Sequence, residues 1–207
     1  MTVLPTPSPA AAPEFRARRL LYITTGGMQA MLLPAWMSWL RTHYPHTEVH
    51  SVITRSARRF VGTTAVAATG GRGLPTVDTW PDEPDGALHT HLAAWPDAVL
   101  VHPATMHFIA RLSTGLADTP VLLALQCTRA PIVICPSLPP GGHLNPAYQR
   151  HVVELSTREN ITVLPPVNGV SASTGEEGIG SAAYLPDALT ALEDMRAWAA
   201  PSSGDAA

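Results

Sequence analysis

A short apolar run, LLYIT at Leu20 to Thr24, ends at Gly26-Gly27 and passes into MQAMLLPAWMSWLRTHY, whose apolar residues can line a helix. This strand, glycine turn and helix constrains the fold most because the pattern recurs. Pro34 lies inside the helical segment, removes a backbone donor and predicts a kink. A second strand is expected at Val49 to Thr54, with a helix starting near Ser56, a good N-cap ahead of the apolar residues of SARRFV. Thr63 to Asp85 is rich in Gly, Pro and Thr and reads as a long loop with a short extended piece at Pro75 to Thr79. ALHTHLAAW reads as a helix, AVLVH (Ala98 to His102) as a buried strand, and ATMHFIARLSTGL as a helix ending at Gly115 or just after it. APIVICP (Ala130 to Pro136) is the clearest strand. Asn145 to Thr157 reads as a helix with Asn145 as cap and Pro146 in its first turn, Ile161 to Leu164 as a strand, and Leu185 to Ala199 as a closing helix.

Strands alternating with helices over this length predict a single α/β domain, a three-layer α/β/α stack around a mostly parallel sheet. Ligands of such sheets sit at the carboxyl ends of the strands. The stretches to watch are therefore Thr24 to Met28, Thr54 to Ser56, His102 to His107 and Cys135 to Leu144.

Composition narrows the function classes. At 207 residues, 45% of them hydrophobic and 14% charged, the chain can bury one sizeable core. A net charge of -3, with Lys and Arg clustered only at Arg16 to Arg19 and Arg55 to Arg59, gives no footprint for nucleic acid. No run approaches the roughly 18 apolar residues of a membrane span. Cys127 and Cys135 read as reduced, core-packed thiols, which favours the cytoplasm. MTVLPTPSPAAAPEF lacks the basic start and apolar stretch of a secretory signal. Residues 1–18 and 200–207 are expected to be disordered tails around a folded unit at 19–199.

The Thr24-Thr25-Gly26-Gly27 turn lets backbone approach an anion at a helix start, which suits a phosphate. Thr54 and Ser56 add hydroxyl donors at the next strand end, which favours a mononucleotide phosphate. GxGxxG is absent, and a dinucleotide fingerprint is not supported. His89 and His91 precede the third long strand, and His102 and His107 follow within HPATMHF. Neither H-x-H nor H-x4-H is accompanied by a Cys or carboxylate pair, so no metal is expected. A histidine general base fits better, with His91 and His102 each read as structural.

TTGGMQA, VITRSARRF, HTHLAAWPD, HPATMHFIARLSTGLAD, APIVICP and NPAYQRHV occur in an order and spacing that resembles the homo-oligomeric flavin-containing cysteine decarboxylases. That family includes lantibiotic peptidyl-cysteine decarboxylases and phosphopantothenoylcysteine decarboxylase. The resemblance covers most of Leu20 to Asp187 and implies a Rossmann-like or flavodoxin-like fold. It also implies a helix over Asp118 to Cys127, and a trimer or a dodecamer built of trimers with flavin at subunit interfaces. It implies FMN, or less often FAD, held by Thr25, Gly26, Gly27, Thr54 and Ser56, with the ring near Pro103, Ala104, Thr105 and His107. It implies His89 as catalytic base, and substrate contacts from His107, Pro136, Ser137, Leu138, His143 and Asn145. The chemistry agrees. Loss of CO2 from a cysteine carboxylate leaves a carbanion with no sink, so an oxidised flavin must first draw a hydride from Cβ to create a thioaldehyde.

Departures from the family pattern carry information as well. His107 stands where the family has Asn, and Pro139 replaces the Asn of its substrate clamp within PSLPPGGH. Thr174 stands where pantothenate-pathway enzymes carry a cysteine, so release of an oxidised enethiol is expected. The leading expectation is oxidative decarboxylation of the C-terminal cysteine of a ribosomally made precursor peptide. The product thioenol would serve aminovinyl-cysteine ring formation, through a partner enzyme that couples it to a dehydrated residue. The alternatives are a non-catalytic flavin-binding or partner-binding subunit of a biosynthetic complex, and phosphopantothenoylcysteine decarboxylase.

Overall fold

The computed structural model describes residues 12–70, 74–82, 86–171 and 174–199. Six strands, β1 (Arg19–Thr24), β2 (Glu48–Thr54), β3 (Thr76–Asp78), β4 (Ala98–Thr105), β5 (Ile132–Ser137) and β6 (Ile161–Val163), form one parallel sheet in the order β3-β2-β1-β4-β5-β6. The chain builds outward from β1 to one edge, then returns to place β4 on the other side of β1. The switch point of the sheet therefore lies between the carboxyl ends of β1 and β4.

Because both faces are covered, the central strands β1, β4 and β5 are almost wholly buried, and their alternation shows only in which core each residue enters. Leu20, Tyr22, Leu100 and Val133 point to one side, where they meet α1 (Leu33–His43), α2 (Thr63–Gly70) and α7 (Leu185–Ala199). Leu21, Ile23, Val99, Val101 and Ile134 point to the other, against α3 (Leu88–Ala94), α4 (Met106–Ser113), α5 (Pro120–Cys127) and α6 (Pro146–Leu155). The three-layer fold expected from the alternation is the observed one.

Local departures have local causes. Pro34 does not kink a helix. The residues before it, Met28–Leu32, form a 3-10 turn, and Pro34 falls in the first turn of α1, where its missing N–H has no intrahelical acceptor to lose. Ser56 starts only a three-residue 3-10 turn, Ala57–Arg59. The expected loop over Thr63 to Asp85 contains α2 and β3, the latter within the extended piece anticipated at Pro75 to Thr79. The helix over Asp118 to Cys127 implied by resemblance is α5, capped by Thr119, which accepts from the Leu122 N–H at 3.4 Å. The glycine-rich stretch before α7 forms an antiparallel hairpin, β7 (Val167–Val170) and β8 (Glu177–Ser181).

Residues 12–18 are folded against the domain, so the boundary expected at residue 18 lies earlier. Phe15 is buried and meets Tyr44 edge-on at 5.6 Å, and the Tyr44 hydroxyl donates to the Pro13 carbonyl at 2.8 Å. The expected tails at residues 1–11 and 200–207 lie outside the described residues. Among the described residues, no helix is long and apolar enough to cross a membrane.

Candidate functional site

The site is organised by an irregularity in β4. Val101 pairs with Ile134 and Ala104 with Pro136, so His102 and Pro103 together oppose Cys135. Two residues against one make a bulge, which turns backbone groups out of the ladder. The freed carbonyls are taken by β1. The Thr24 hydroxyl donates to the His102 carbonyl at 3.0 Å, and the Thr25 hydroxyl and N–H donate to the Pro103 carbonyl at 2.8 and 3.1 Å. Thr25 Oγ1 also accepts from the Thr105 N–H at 2.8 Å. Thr25 thus clamps the two strand ends at the switch point with a hydroxyl already engaged on both sides.

Gly26 and Gly27 follow this clamp. A Cβ on Gly26 would stand 2.6 Å from Ser56 Oγ, and a Cβ on Gly27 would stand 3.3 Å from Ser137 Oγ and 3.5 Å from Pro103 Cγ. The absence of a side chain at Gly26 lets the ends of β1 and β2 converge this closely, while Gly27 leaves only a tight fit against Ser137 and Pro103. Thr54 is buried with its hydroxyl directed at the Thr24 carbonyl (3.3 Å) and Ser56 Oγ (3.2 Å), so Ser56 is the more exposed hydroxyl of this pair. No side chain caps the turn that starts at Met28. The Gly27 N–H is spent on the Thr25 carbonyl at 2.8 Å, so the exposed Ser56 hydroxyl and the uncapped start of the turn at Met28, with Arg55, Arg58 and Arg59 beside Ser56 in sequence and no carboxylate in either turn, are what fit the phosphate of a flavin mononucleotide.

On the far rim, α4 begins at Met106 with Thr105 as N-cap, its hydroxyl accepting from the Phe108 N–H at 3.4 Å. His107 is exposed in the first turn. One turn later Arg111 donates from Nε to Asp118 Oδ1 at 3.1 Å and pairs with it again through Nη2. The guanidinium holds the Asp118 carboxyl below its ordinary value, and His107 acts in the same direction. The Asp118 carbonyl accepts from Trp80 Nε1 at 2.9 Å, and the Trp80 ring meets His89 at 5.6 Å, inclined 65°. His89 stands in the first turn of α3. Trp80, Asp118 and Arg111 thus connect His89 to α4, the helix that carries His107, and none of the three was a site candidate in the sequence. The available signal for Asp118 was its place at the end of the HPATMHFIARLSTGLAD block.

The remaining sequence candidates line the exit of β5. Pro136 is buried, Ser137 borders Gly27, and the Leu138 N–H donates to the Gly180 carbonyl of β8 at 2.7 Å. The hairpin is held a second time by Gln29, whose Oε1 accepts from the Ala182 N–H at 2.7 Å. His143 Nδ1 is buried without a hydrogen-bond partner. Asn145 spends its side-chain oxygen on the α6 cap, accepting from the Ala147 N–H at 2.8 Å, which leaves its amide N–H groups for any other contact.

His102 is structural in geometry. Its Nε2 lies 2.9 Å from the Ala183 carbonyl, which can only accept, so Nε2 carries the proton and Nδ1 accepts from the Tyr22 hydroxyl at 2.9 Å. Burial lowers its pKa to about 4. His91 packs among His50 and Trp95, away from this cluster.

Two cavities lie outside the crevice. One of about 490 Å³ is bordered by Phe15 and Tyr44, and one of about 570 Å³ by His50, His91 and Trp95. The switch-point crevice is an open face, with Met28, Met31 and Leu144 exposed.

Comparison with known proteins agrees with this architecture. The Flavoprotein family model matches residues 10–195. The chain is 36% identical over 188 residues to the cypemycin cysteine dehydrogenase (decarboxylating) of Streptomyces sp, spanning 88% of this chain and 94% of that protein. It is 30% identical over 182 residues to the coenzyme A biosynthesis bifunctional protein CoaBC of Haemophilus influenzae, 88% of this chain but 44% of the longer relative. The crystal structure of the FMN-dependent cysteine decarboxylase SpaF superposes with a TM-score of 0.72 at 29% identity, covering 86% of this chain and 96% of that one.

Proposed function

The chain belongs to the Flavoprotein family, and on that premise we propose that it is an FMN-dependent enzyme removing CO2 and two hydrogens from the C-terminal cysteine of a ribosomally made precursor peptide. The observation that carries the proposal is the convergence of Gly26, Gly27, Ser56 and Ser137 at the switch point, a cradle open to a phosphate and a flat ring. The likeness to a cysteine dehydrogenase over nearly the full length of both proteins supports the substrate class.

Gly26, Gly27 and Ser56 would hold the phosphate, with Thr25 and Thr54 shaping the strand ends rather than donating. Pro103, Ala104, Thr105 and Ser137 would lie beside the ring. A flavin held there would supply the two-electron sink that a cysteine carboxylate lacks. His89 takes the thiol proton as general base. His107, on the same rim, donates to the substrate carboxylate, with the Asn145 amide and His143 further along the exit of β5. Leu138 and the hairpin tied to it shield the substrate from water. Thr174 carries no thiol to return reducing equivalents, so the product leaves as an enethiol for a partner enzyme to couple. The open crevice with exposed Met28, Met31 and Leu144 suits completion by a second copy in a homotrimer or homododecamer. The protein works in the cytoplasm.

The test is the His89→Asn variant. Retained flavin absorbance with no reduction of that absorbance by a peptide ending in cysteine supports the assignment. Undiminished reduction removes His89 from the mechanism.

A further inference from the structure

Trp80 is a large aromatic side chain that is 45% exposed, yet it is fixed at both ends of its ring system. Its indole Nε1–H donates to the Asp118 carbonyl at 2.9 Å, and its ring lies against His89 with centroids 5.6 Å apart. The strand that delivers it is fixed to the same place. Asp78, at the end of β3, accepts the Val121 N–H in the first turn of α5 at 3.0 Å, so residues 78–80 are joined both to the α4–α5 connection at Asp118 and to the start of α5. Asp118 is itself held by Arg111 from α4. An exposed tryptophan gains little from burial at such a position, and α3 itself supplies no side-chain cap to steady its first turn.

We propose that Trp80 is a positioning residue for His89, setting the imidazole's orientation through ring contact while the Asp118 carbonyl sets the orientation of the indole. This rests on the reading of His89 as the base. Arg111 and Asp118 complete the support by fixing the acceptor carbonyl. Through them the orientation of His89 is tied to α4, the helix that presents His107 one turn before Arg111. Both histidines are thereby referred to one rigid frame, which a proton transfer and a carboxylate contact on the same cysteine require.

The test compares Trp80→Leu, Trp80→Phe and His89→Asn in the flavin-loaded enzyme with a peptide ending in cysteine. It also follows the His89 imidazole Cε1–H resonance in cofactor-free protein. Trp80→Leu is expected to lower kcat by about tenfold to a hundredfold, the range that misplacement of a reacting group produces. KM and flavin content should stay near wild type, and the His89 resonance should lose its aromatic ring-current shift. Trp80→Phe, which keeps a ring but not the N–H, should recover part of kcat. In the His89→Asn background, Trp80→Leu should have no further effect. An unchanged kcat in Trp80→Leu overturns the proposal. So does a fall accompanied by equal loss of flavin, or an unmoved His89 resonance. Full turnover by His89→Asn alone contradicts the base assignment instead, and the resonance still reports whether Trp80 holds the ring.

Discussion

A Cβ atom on Gly26 would stand 2.6 Å from the hydroxyl oxygen of Ser56 and 2.7 Å from its Cβ, closer than side chains approach one another. The ends of β1 and β2 meet with no room for a second side chain. Gly26→Ala should therefore push Ser56 out of the cradle and weaken flavin binding by at least about tenfold, while Ser56→Ala should cost about as much as one hydrogen bond to a charged group, roughly 1.5–3 kcal/mol. Fluorescence titration of cofactor-free protein with FMN measures both. Unchanged affinity in both variants would remove the phosphate from this turn.

The Thr25 hydroxyl bridges the Pro103 carbonyl and the Thr105 N–H across the switch point. Thr25→Val keeps the shape and deletes both bonds, leaving the Thr105 N–H without its acceptor. Urea unfolding of the cofactor-free protein should show a loss of about 1–3 kcal/mol. A variant as stable as wild type would mean that the clamp contributes nothing to the fold.

The sheet was legible in the sequence because β1, β4 and β5 each contain a continuous apolar run bounded by turns. The short α2 was not. Of TTAVAATG only Val66 is buried, so no apolar stripe marks a helix. The β7–β8 hairpin was equally silent, being glycine-rich and paired only with itself. Contacts distant in sequence, Leu138 with Gly180 and Gln29 with Ala182, hold it.

His102 is buried neutral, with its pKa lowered from 6.5 to about 4 by desolvation. The unfolded chain binds the proton more readily, so the stability associated with this group is fully present above pH 6.5 and is lost as pH falls through about 4. The loss amounts to about 3 kcal/mol. His102→Gln should flatten the stability profile across that window relative to wild type. Parallel profiles for the two proteins in urea titrations at several pH values would show that His102 is not the group responsible.

Gln29 receives the Ala182 N–H just beyond the hairpin. Gln29→Ala should speed hydrogen exchange at Ala182 and raise KM for the peptide several-fold, with flavin content unchanged. Unaltered exchange would mean that the Leu138 to Gly180 bond alone holds the hairpin.

The candidate site was legible in part. Gly26, Gly27 and Ser56 follow strands directly, so their convergence was implied once the strands were recognised. The engagement of Thr25 in clamping was hidden, because it depends on the β4 bulge, which leaves no mark in composition. Trp80 was equally hidden, since its acceptor lies 38 residues away at Asp118.

The most direct measurement is mass spectrometry of short peptides ending in cysteine after incubation with the purified yellow protein, with the same peptides amidated at the C-terminus as controls. The expected result is a loss equal to CO2 plus two hydrogens in the free-acid peptides alone, abolished by His89→Asn. A flavin-loaded protein that leaves every such peptide unchanged, while removing the same mass from a small phosphorylated cysteine conjugate, would contradict the assignment to peptide decarboxylation.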